Sequence, residues 1–175
     1  MTKAFDFCAR LVLAEEGGLV DHALDPGGRT NLGITHATLA QARVHMPSLP
    51  ARVDHLTNAQ ALAIYERLYW TPIRGDELPL SVALVLFDGA VNQGTHTAAR
   101  LLQLAVGATA DGEIGPKTLA AVRSRGERPT LAELGARRMH AYMMLDRLDD
   151  AFGLGWSRRL VRVLLAAQAA IRVAP

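Results

Sequence analysis

Residues 11–36, LVLAEEGGLVDHALDPGGRTNLGITH, place two glutamates at a predicted helix end and follow them with two pairs of glycines. Apolar residues at helical spacing predict an amphipathic helix over residues 3–16, which the first glycine pair ends. Residues 17–34 are rich in Gly, Asp, Pro, Thr and Asn, which predicts a loop or a small β-hairpin. The stretch therefore sets a carboxylate at a helix end, beside a polar segment that is open to approach.

The remaining chain is dominated by helical apolar patterns, separated by glycines and prolines, without a convincing strand pattern. Thr35 is placed to cap the second helix, and both Thr57-x-x-Gln60 and Thr130-x-x-Glu133 fit a capping box. The predicted helices cover residues 35–44, 57–70, 81–92, 95–106, a short segment from Pro116, 130–148 and 156–173. The predicted fold class is mainly α.

Composition excludes several classes of function. Half of the 175 residues are hydrophobic, which is enough to bury a sizeable core. A net charge of +2 does not favour a nucleic-acid partner, although it suits an anionic polymer such as a bacterial wall. Because no apolar run has the length of a transmembrane helix, stable membrane insertion is not expected. The lone Cys8 excludes an internal disulfide and is expected to be buried.

Glu16 and Asp25 have the chemistry of a carboxyl pair for glycoside hydrolysis. Glu16 lies in the last turn of the first predicted helix, where the helix dipole disfavours a negative charge and raises a carboxyl pKa. A carboxyl group that stays protonated near neutral pH serves as a general acid. Asp25 lies nine residues later on a polar turn and is expected to stay ionised, with Thr30 and Asn31 positioned to orient a water or a sugar hydroxyl. The alternative is an ordinary solvated helix end with a glycine cap.

The ordered motifs of this region resemble a known family. The pieces are Glu16-Gly17-Gly18, Asp25-Pro26-Gly27-Gly28, Thr30-Asn31 and Gly33-Ile34-Thr35, followed by IYERLYWTPI at 64–73, LFDGAVNQG at 86–94 and AARLLQLAVG at 98–107. They are similar to the family 108 glycoside hydrolases, the Glu-Gly-Gly-Tyr type bacterial and phage N-acetylmuramidases. The resemblance implies a lysozyme-like helical domain with at most a small β-hairpin near residues 19–34.

The same resemblance implies the roles of individual residues. Glu16 takes the place of the catalytic glutamate. Phage lysozymes of the wider lysozyme-like group show a similar order of Glu, Asp, Thr, Gly-Ile and His, which falls here on Glu16, Asp25, Thr30, Gly33-Ile34 and His36. We therefore expect Asp25 and Thr30 to be catalytic, and Asn31 and His36 to bind substrate.

This chain departs from the family pattern at three points, and two assignments stay open. Leu19 stands where the family has an aromatic residue after the glycines, which removes a sugar-stacking contact. Asp21 competes with Asp25 as the second carboxylate, because the family often has Asn-Asp-Pro near that position. Thr30 lies one residue closer to Asp25 than the Thr of the phage lysozymes, so Asn31 competes with it.

Three further residues are predicted to bind substrate. Asn92 and Gln93 end an apolar helix pattern that only Asp88 interrupts, and Gly94 opens the backbone beside them. They are expected to line the far wall of the cleft, whereas Asp88 either joins them or is paired inside the core, as buried charges must be. Aromatic residues at helical spacing usually pack, so only Trp70, at its helix end, is predicted to be exposed and to contact sugar.

The second half of the chain resembles a wall-binding module. Residues 111–122, DGEIGPKTLAAV, are similar to the Asp-Gly-x-x-Gly-Pro-x-Thr turn of small helical peptidoglycan-binding modules, where the run is chiefly structural. The predicted division is a lysozyme-like catalytic region over 1–94 and a peptidoglycan-binding-like region over 95–175, packed as one compact unit. The arginine-rich last helix is expected to dock on the core rather than to act as a membrane-active tail.

The predicted activity is peptidoglycan hydrolysis by an endolysin or lysozyme. By the resemblance, the enzyme cleaves the β-1,4 bond between N-acetylmuramic acid and N-acetylglucosamine, with an inverting or a retaining outcome. A lytic transglycosylase that uses the same Glu16 is one alternative, and a non-catalytic wall-binding protein or secretion activator is the other. Scattered histidines and the absence of a Cys pair at ligand spacing predict neither a metal site nor any other cofactor.

Delivery to the wall is expected to avoid the usual secretory route. The first residues, MTKAFDFCAR, hold a short apolar patch that Asp6 and Arg10 interrupt, which is unlike a secretory signal. The chain is therefore predicted to be made in the cytoplasm and to reach the periplasmic wall by holin-type or other non-Sec release. Bacterial peptidoglycan and a holin are the expected partners.

Overall fold

The computed structural model describes residues 1–16, 31–144 and 149–173, which form eight α-helices. The helices are α1 Lys3–Glu16, α2 His36–His45, α3 Asn58–Tyr65, α4 Leu80–Gln93, α5 Thr95–Val106, α6 Pro116–Arg125, α7 Glu127–Met143 and α8 Asp149–Val173. A π turn, Glu66–Trp70, continues α3, and the described residues add two short 3-10 turns, Val53–His55 and Gly75–Glu77. The prediction of a mainly α fold is confirmed. Most of the predicted hairpin lies outside the described residues.

Helix α4 forms the centre of the molecule. Its residues 81–90 are all buried, and α1, α5, α7 and α8 pack around it. A helix that is apolar on every side needs such a complete cover. The prediction of a central buried helix over 81–92 is therefore confirmed.

An aromatic cluster joins α1 and α4 to the end of the π turn. The ring centroids of Trp70 lie 5.6 Å from Phe5 and 5.4 Å from Phe87, both in edge-to-face geometry, and Trp70 is only 1% exposed. The prediction that Trp70 is exposed and contacts sugar is therefore wrong. The π turn adds a residue to the helical repeat and redirects this helix end, while Gly75 leaves room for the indole, since a Cβ there would lie 2.4 Å from the ring.

The two predicted capping boxes have different outcomes. At α3, Thr57 Oγ1 accepts from the Gln60 N–H and the Gln60 side chain accepts from the Thr57 N–H, which confirms the first box. The second is wrong, because α7 begins three residues earlier, after Gly126. Thr130 lies inside the helix, where its hydroxyl donates to the Gly126 carbonyl oxygen at 2.7 Å.

Helix α8 is longer than its sequence predicts. The sequence pattern predicts that Gly153 and Gly155 precede the helix, yet both lie inside it. A glycine costs a helix interior only about 1 kcal/mol, which packing against α4 and α7 offsets. Gly135 of α7 allows a close approach, because a Cβ there would lie 2.9 Å from Leu164. The predicted docking of the last helix is thus confirmed, and no helix in the described part of the chain is long and apolar enough to cross a bilayer.

A buried glutamine holds the loop before α6. Gln103 is 1% exposed, and its amide donates to Asp111 Oδ1 at 2.6 Å and to the Glu113 carbonyl oxygen, while its oxygen accepts from the Gly112 N–H. The Glu113 N–H and then the Gln103 amide lower the pKa of Asp111 by stabilising its carboxylate. Pro116 is at the start of α6. The predicted architectural role of this run is confirmed.

Substitution of Gly112 by Ala should destabilise the fold by about 2 kcal/mol. Gly112 has a φ of +83°, and a Cβ there would lie 2.1 Å from His96 Nδ1, so Ala meets both backbone strain and a clash. Gly107→Ala is the matched control, because φ is +72° there and no atom lies within 4 Å. Urea unfolding should show a smaller loss of unfolding free energy for Gly107→Ala than for Gly112→Ala. Adding His96→Ala to Gly112→Ala should remove the part of the loss that comes from the clash and leave the part that comes from backbone strain. Equal losses at the two glycines would contradict this account.

Candidate active site

Helix α1, which carries Glu16 as its last residue, packs on the core through one face. Phe5, Cys8 and Val12 are all fully buried along this helix. The last turn contains no basic residue to offset the negative end of the helix dipole. The prediction that residues 3–16 form an amphipathic helix is confirmed, whereas residues 17–30 lie outside the described part of the chain.

A tight turn at residues 31–34 forms the second part of the site. The Asn31 N–H donates to the Ile34 carbonyl oxygen at 3.2 Å, and the Ile34 N–H donates back to the Asn31 carbonyl oxygen at 2.9 Å. Leu32 and Gly33 between them have φ values of 53° and 72°, as in a type I′ turn. A leucine in this left-handed conformation costs about 1–2 kcal/mol, so other contacts must hold the turn in place.

Two side chains fix the turn. The Tyr65 hydroxyl donates to the Leu32 carbonyl oxygen at 3.0 Å, and Asn31 Nδ2 donates to the Val53 carbonyl oxygen at 2.9 Å. The Asn31 amide therefore ties the turn to the 3-10 turn at Val53–His55. Its predicted contact with substrate stays a prediction, as does that of His36, which is exposed at the start of α2.

The turn and α1 share one cavity. This space has a volume of about 370 Å³. Its walls are Arg10, Leu13 and Ala14 of α1, Leu32 of the turn, and Asn58, Ala61 and Leu62 of α3. The structure thus places the Asn-Leu-Gly-Ile turn beside the part of α1 that leads to Glu16. Asp21, Asp25, Thr30 and the Glu16 side chain lie outside the described residues.

Tyr65→Phe should loosen the turn while leaving the core packed. The substitution removes the hydrogen bond to the Leu32 carbonyl and keeps the ring, whose centroid lies 6.4 Å from that of Phe87. We expect a loss of about 1 kcal/mol in unfolding free energy. We also expect a fall in kcat on purified peptidoglycan that exceeds any change in KM, because the turn adjoins the segment that carries Thr30. A variant with wild-type kcat and lower stability would limit Tyr65 to a structural role.

The far end of α4 adjoins a charge network that is centred on the buried Asp88. Asp88 is fully buried, with Oδ2 2.7 Å from Arg138 Nη2 and Oδ1 2.7 Å from Arg159 Nε. Arg138 Nε donates to Gln93 Oε1 at 3.0 Å, and the Tyr142 hydroxyl, which is also 3.0 Å from Arg138, donates to Asn92 Oδ1 at 2.9 Å. Of the two expectations for Asp88, pairing inside the core is confirmed.

Only part of this network could be predicted from local sequence. A carboxylate inside an apolar helix requires a cation, so Asp88 predicted a partner, but nothing near it in the chain identified Arg138 or Arg159. Asn92 and Gln93 direct their side-chain oxygens to the network, and their contact with substrate stays a prediction. Burial raises the pKa of the Tyr142 hydroxyl, so it remains a donor at neutral pH.

Comparisons with known proteins agree with the resemblance seen in the sequence. Residues 9–94 match the family model described as Glycosyl hydrolase 108, and residues 97–161 match the one described as Predicted Peptidoglycan domain. A solved structure described as "Structure of Brucella abortus SagA" is 40% identical, with a TM-score of 0.87, and the match covers 97% of each chain. A search of curated proteins gave no match. This chain therefore belongs to the glycosyl hydrolase 108 family, as a lysozyme-like peptidoglycan hydrolase that carries its own peptidoglycan domain.

Proposed function

We propose that this protein is an N-acetylmuramidase, which cleaves the β-1,4 bond between N-acetylmuramic acid and N-acetylglucosamine. Glu16 is the general acid, and Asp25, with Thr30 nearby, is its partner. The observation that carries the proposal is the position of Glu16 at the end of α1, within the glycosyl hydrolase 108 match. The cavity between α1 and the 31–34 turn adds a space beside that helix end.

The proposed roles follow from the chemistry of acetal cleavage. The leaving sugar oxygen needs a proton as its bond to the anomeric carbon breaks, and Glu16 donates it. The ring left behind develops positive charge, which an ionised Asp25 stabilises directly or through a water that it orients for attack. The helix end favours the protonated form of the acid, and a polar turn favours the ionised form of its partner. The two carboxyl groups thus take different catalytic roles, because their surroundings favour different protonation states.

We also propose a division of labour along the chain. Residues 1–94 catalyse the hydrolysis, and residues 95–175 bind the peptidoglycan. A groove of about 760 Å³ lies in the second region, beside the start of α6, and includes Asp111, Glu113 and Lys117 in its wall. Release to the wall through a holin or another non-Sec route stays a prediction.

The bond that is cleaved can be identified from the products. Purified peptidoglycan digested with the protein should yield fragments with reducing N-acetylmuramic acid ends, identified by mass spectrometry after borohydride reduction. Reducing N-acetylglucosamine ends would assign a different glycosidic bond. Ends with a 1,6-anhydro ring would identify a lytic transglycosylase, in which the sugar's own hydroxyl replaces water.

A separate measurement distinguishes catalysis from simple wall binding. The protein should both sediment with insoluble peptidoglycan and release soluble fragments from it over time. Sedimentation without release, under conditions in which a control lysozyme digests the same wall, would favour a wall-binding or secretion-activating role and overturn the proposal.

A further inference from the structure

Helix α8 is apolar on two opposite sides. One side packs on the core through Leu160, Val163 and Ala167, none of which is more than 4% exposed. The other side carries Leu154, Val161 and Leu165, which are 64%, 50% and 65% exposed. At about 100° per residue, these three side chains fall within an arc of about 40°, opposite the buried side. They form an exposed apolar stripe about 17 Å long.

Basic residues accompany this stripe. Arg158 and Arg162 are exposed on the flank of Leu154, Val161 and Leu165. Helix α8, Asp149–Val173, contains four arginines and, at its first two positions, two aspartates, so its formal net charge is +2. Because Arg159 is paired with Asp88 in the core, the positive charge beside the stripe comes from Arg158 and Arg162. An apolar stripe with basic residues on one side is the pattern of a helix that lies in the plane of an anionic lipid surface.

The neighbouring end of α7 also exposes apolar side chains. Met143 and Met144 are 60% and 63% exposed. Ser157 of α8 hydrogen-bonds Met139, and the rings of Tyr142 and Trp156 stack at 5.3 Å, so this end of α7 lies against the start of α8. Apolar side chains held open to water in this way usually mark a site of interaction.

We propose that this face of α8 binds the surface of a membrane that contains anionic phospholipid, and so holds the hydrolase at the membrane next to its wall. The stripe enters the interface between headgroups and acyl chains, while the guanidinium group of Arg158 beside it pairs with lipid phosphates. This is attachment at the surface, not insertion. A second copy of the chain fits the face less well, because a symmetric dimer would bring the arginines of both copies together.

Vesicle binding tests the proposal with the full-length protein. The wild type should sediment with vesicles of equal parts phosphatidylglycerol and phosphatidylcholine, and bind pure phosphatidylcholine at least tenfold more weakly. The double variant Leu154→Ser, Leu165→Ser should lose about tenfold in binding, and Arg158→Gln should lose about fivefold, on the anionic vesicles only. Raised salt should weaken wild-type binding.

Matched controls come from α5. Leu104 is 43% exposed and Arg100 is exposed, so Leu104→Ser and Arg100→Gln make the same chemical changes on another face. An equal loss of binding in these controls, or no wild-type binding to anionic vesicles, would overturn the proposal. So would a wild-type dimer in analytical ultracentrifugation that the double serine variant abolishes, since the face would then join two copies.

The test is independent of the proposed chemistry. Purified peptidoglycan contains no membrane, so the double serine variant should digest it at the wild-type rate if α8 acts only through lipid. Failure of wild-type protein to digest the wall would count against the muramidase assignment and leave the vesicle result standing.

Discussion

Glu16→Gln is expected to lower kcat on purified peptidoglycan by a hundredfold to ten-thousandfold, about the range that a general acid contributes. Glutamine keeps the size of the side chain and its hydrogen-bonding capacity but has no acidic proton for the leaving oxygen. Sedimentation with the insoluble wall should stay close to wild type, because the peptidoglycan domain at 97–161 is unchanged. The measurement is the rate of release of soluble fragments at saturating substrate.

Glu15→Gln is the matched control for this experiment. It makes the same change one residue earlier on α1, about 100° around the helix. Its activity should remain within about twofold of wild type, the difference expected of a neighbour that transfers no proton. An active Glu16→Gln variant, or equal losses from both substitutions, would remove Glu16 from the role of acid.

Asp88→Ala should destabilise the fold by about 3–5 kcal/mol, the largest effect on stability that we expect from a single substitution here. The carboxylate is fully buried and contacts Arg138 and Arg159 at 2.7 Å each. Its removal leaves buried guanidinium groups without their counter-ion. The midpoint of thermal unfolding, followed by circular dichroism, should fall by roughly 10 °C.

A surface ion pair provides the comparison for Asp88. Glu133 Oε1 lies 2.7 Å from Arg137 Nη2, as close as the buried pairs, but both side chains are more than a third exposed. Glu133→Ala should therefore cost no more than about 0.5 kcal/mol. A small loss at Asp88, close to that at Glu133, would mean that the buried carboxylate contributes little to stability.

The sequence predicts most of the helices because their signals are local. Apolar spacing, the Thr35 and Thr57 caps and the glycine after α5 act within a few residues, and the structure agrees with them. The predictions fail where contacts between residues far apart in sequence determine the helix boundaries. Thr130 has the local pattern of a cap, yet Glu127 begins the helix, and Gly153 remains helical because α8 is packed along its length.

The features of the candidate site also divide into those with a local sequence signal and those that depend on distant contacts. The helix that carries Glu16 could be predicted, because its apolar residues repeat at helical spacing. The burial of Trp70 could not, since it depends on the π turn and on a glycine five residues later that accepts the ring. The hydrogen bond that Tyr65 donates could not be predicted either, because its acceptor, the Leu32 carbonyl oxygen, lies 33 residues away in sequence.

The buried Asp88 has a consequence for how such proteins are assembled in evolution. Asp88 belongs to the part of the chain that matches the hydrolase family, whereas Arg138 and Arg159 belong to the part that matches the peptidoglycan domain. A recombination event between residues 94 and 97 would separate the Asp88 carboxylate from its two guanidinium partners and leave each fragment with uncompensated buried charge. Exchange of either part with a foreign module is therefore expected to succeed only when the incoming module restores that pairing.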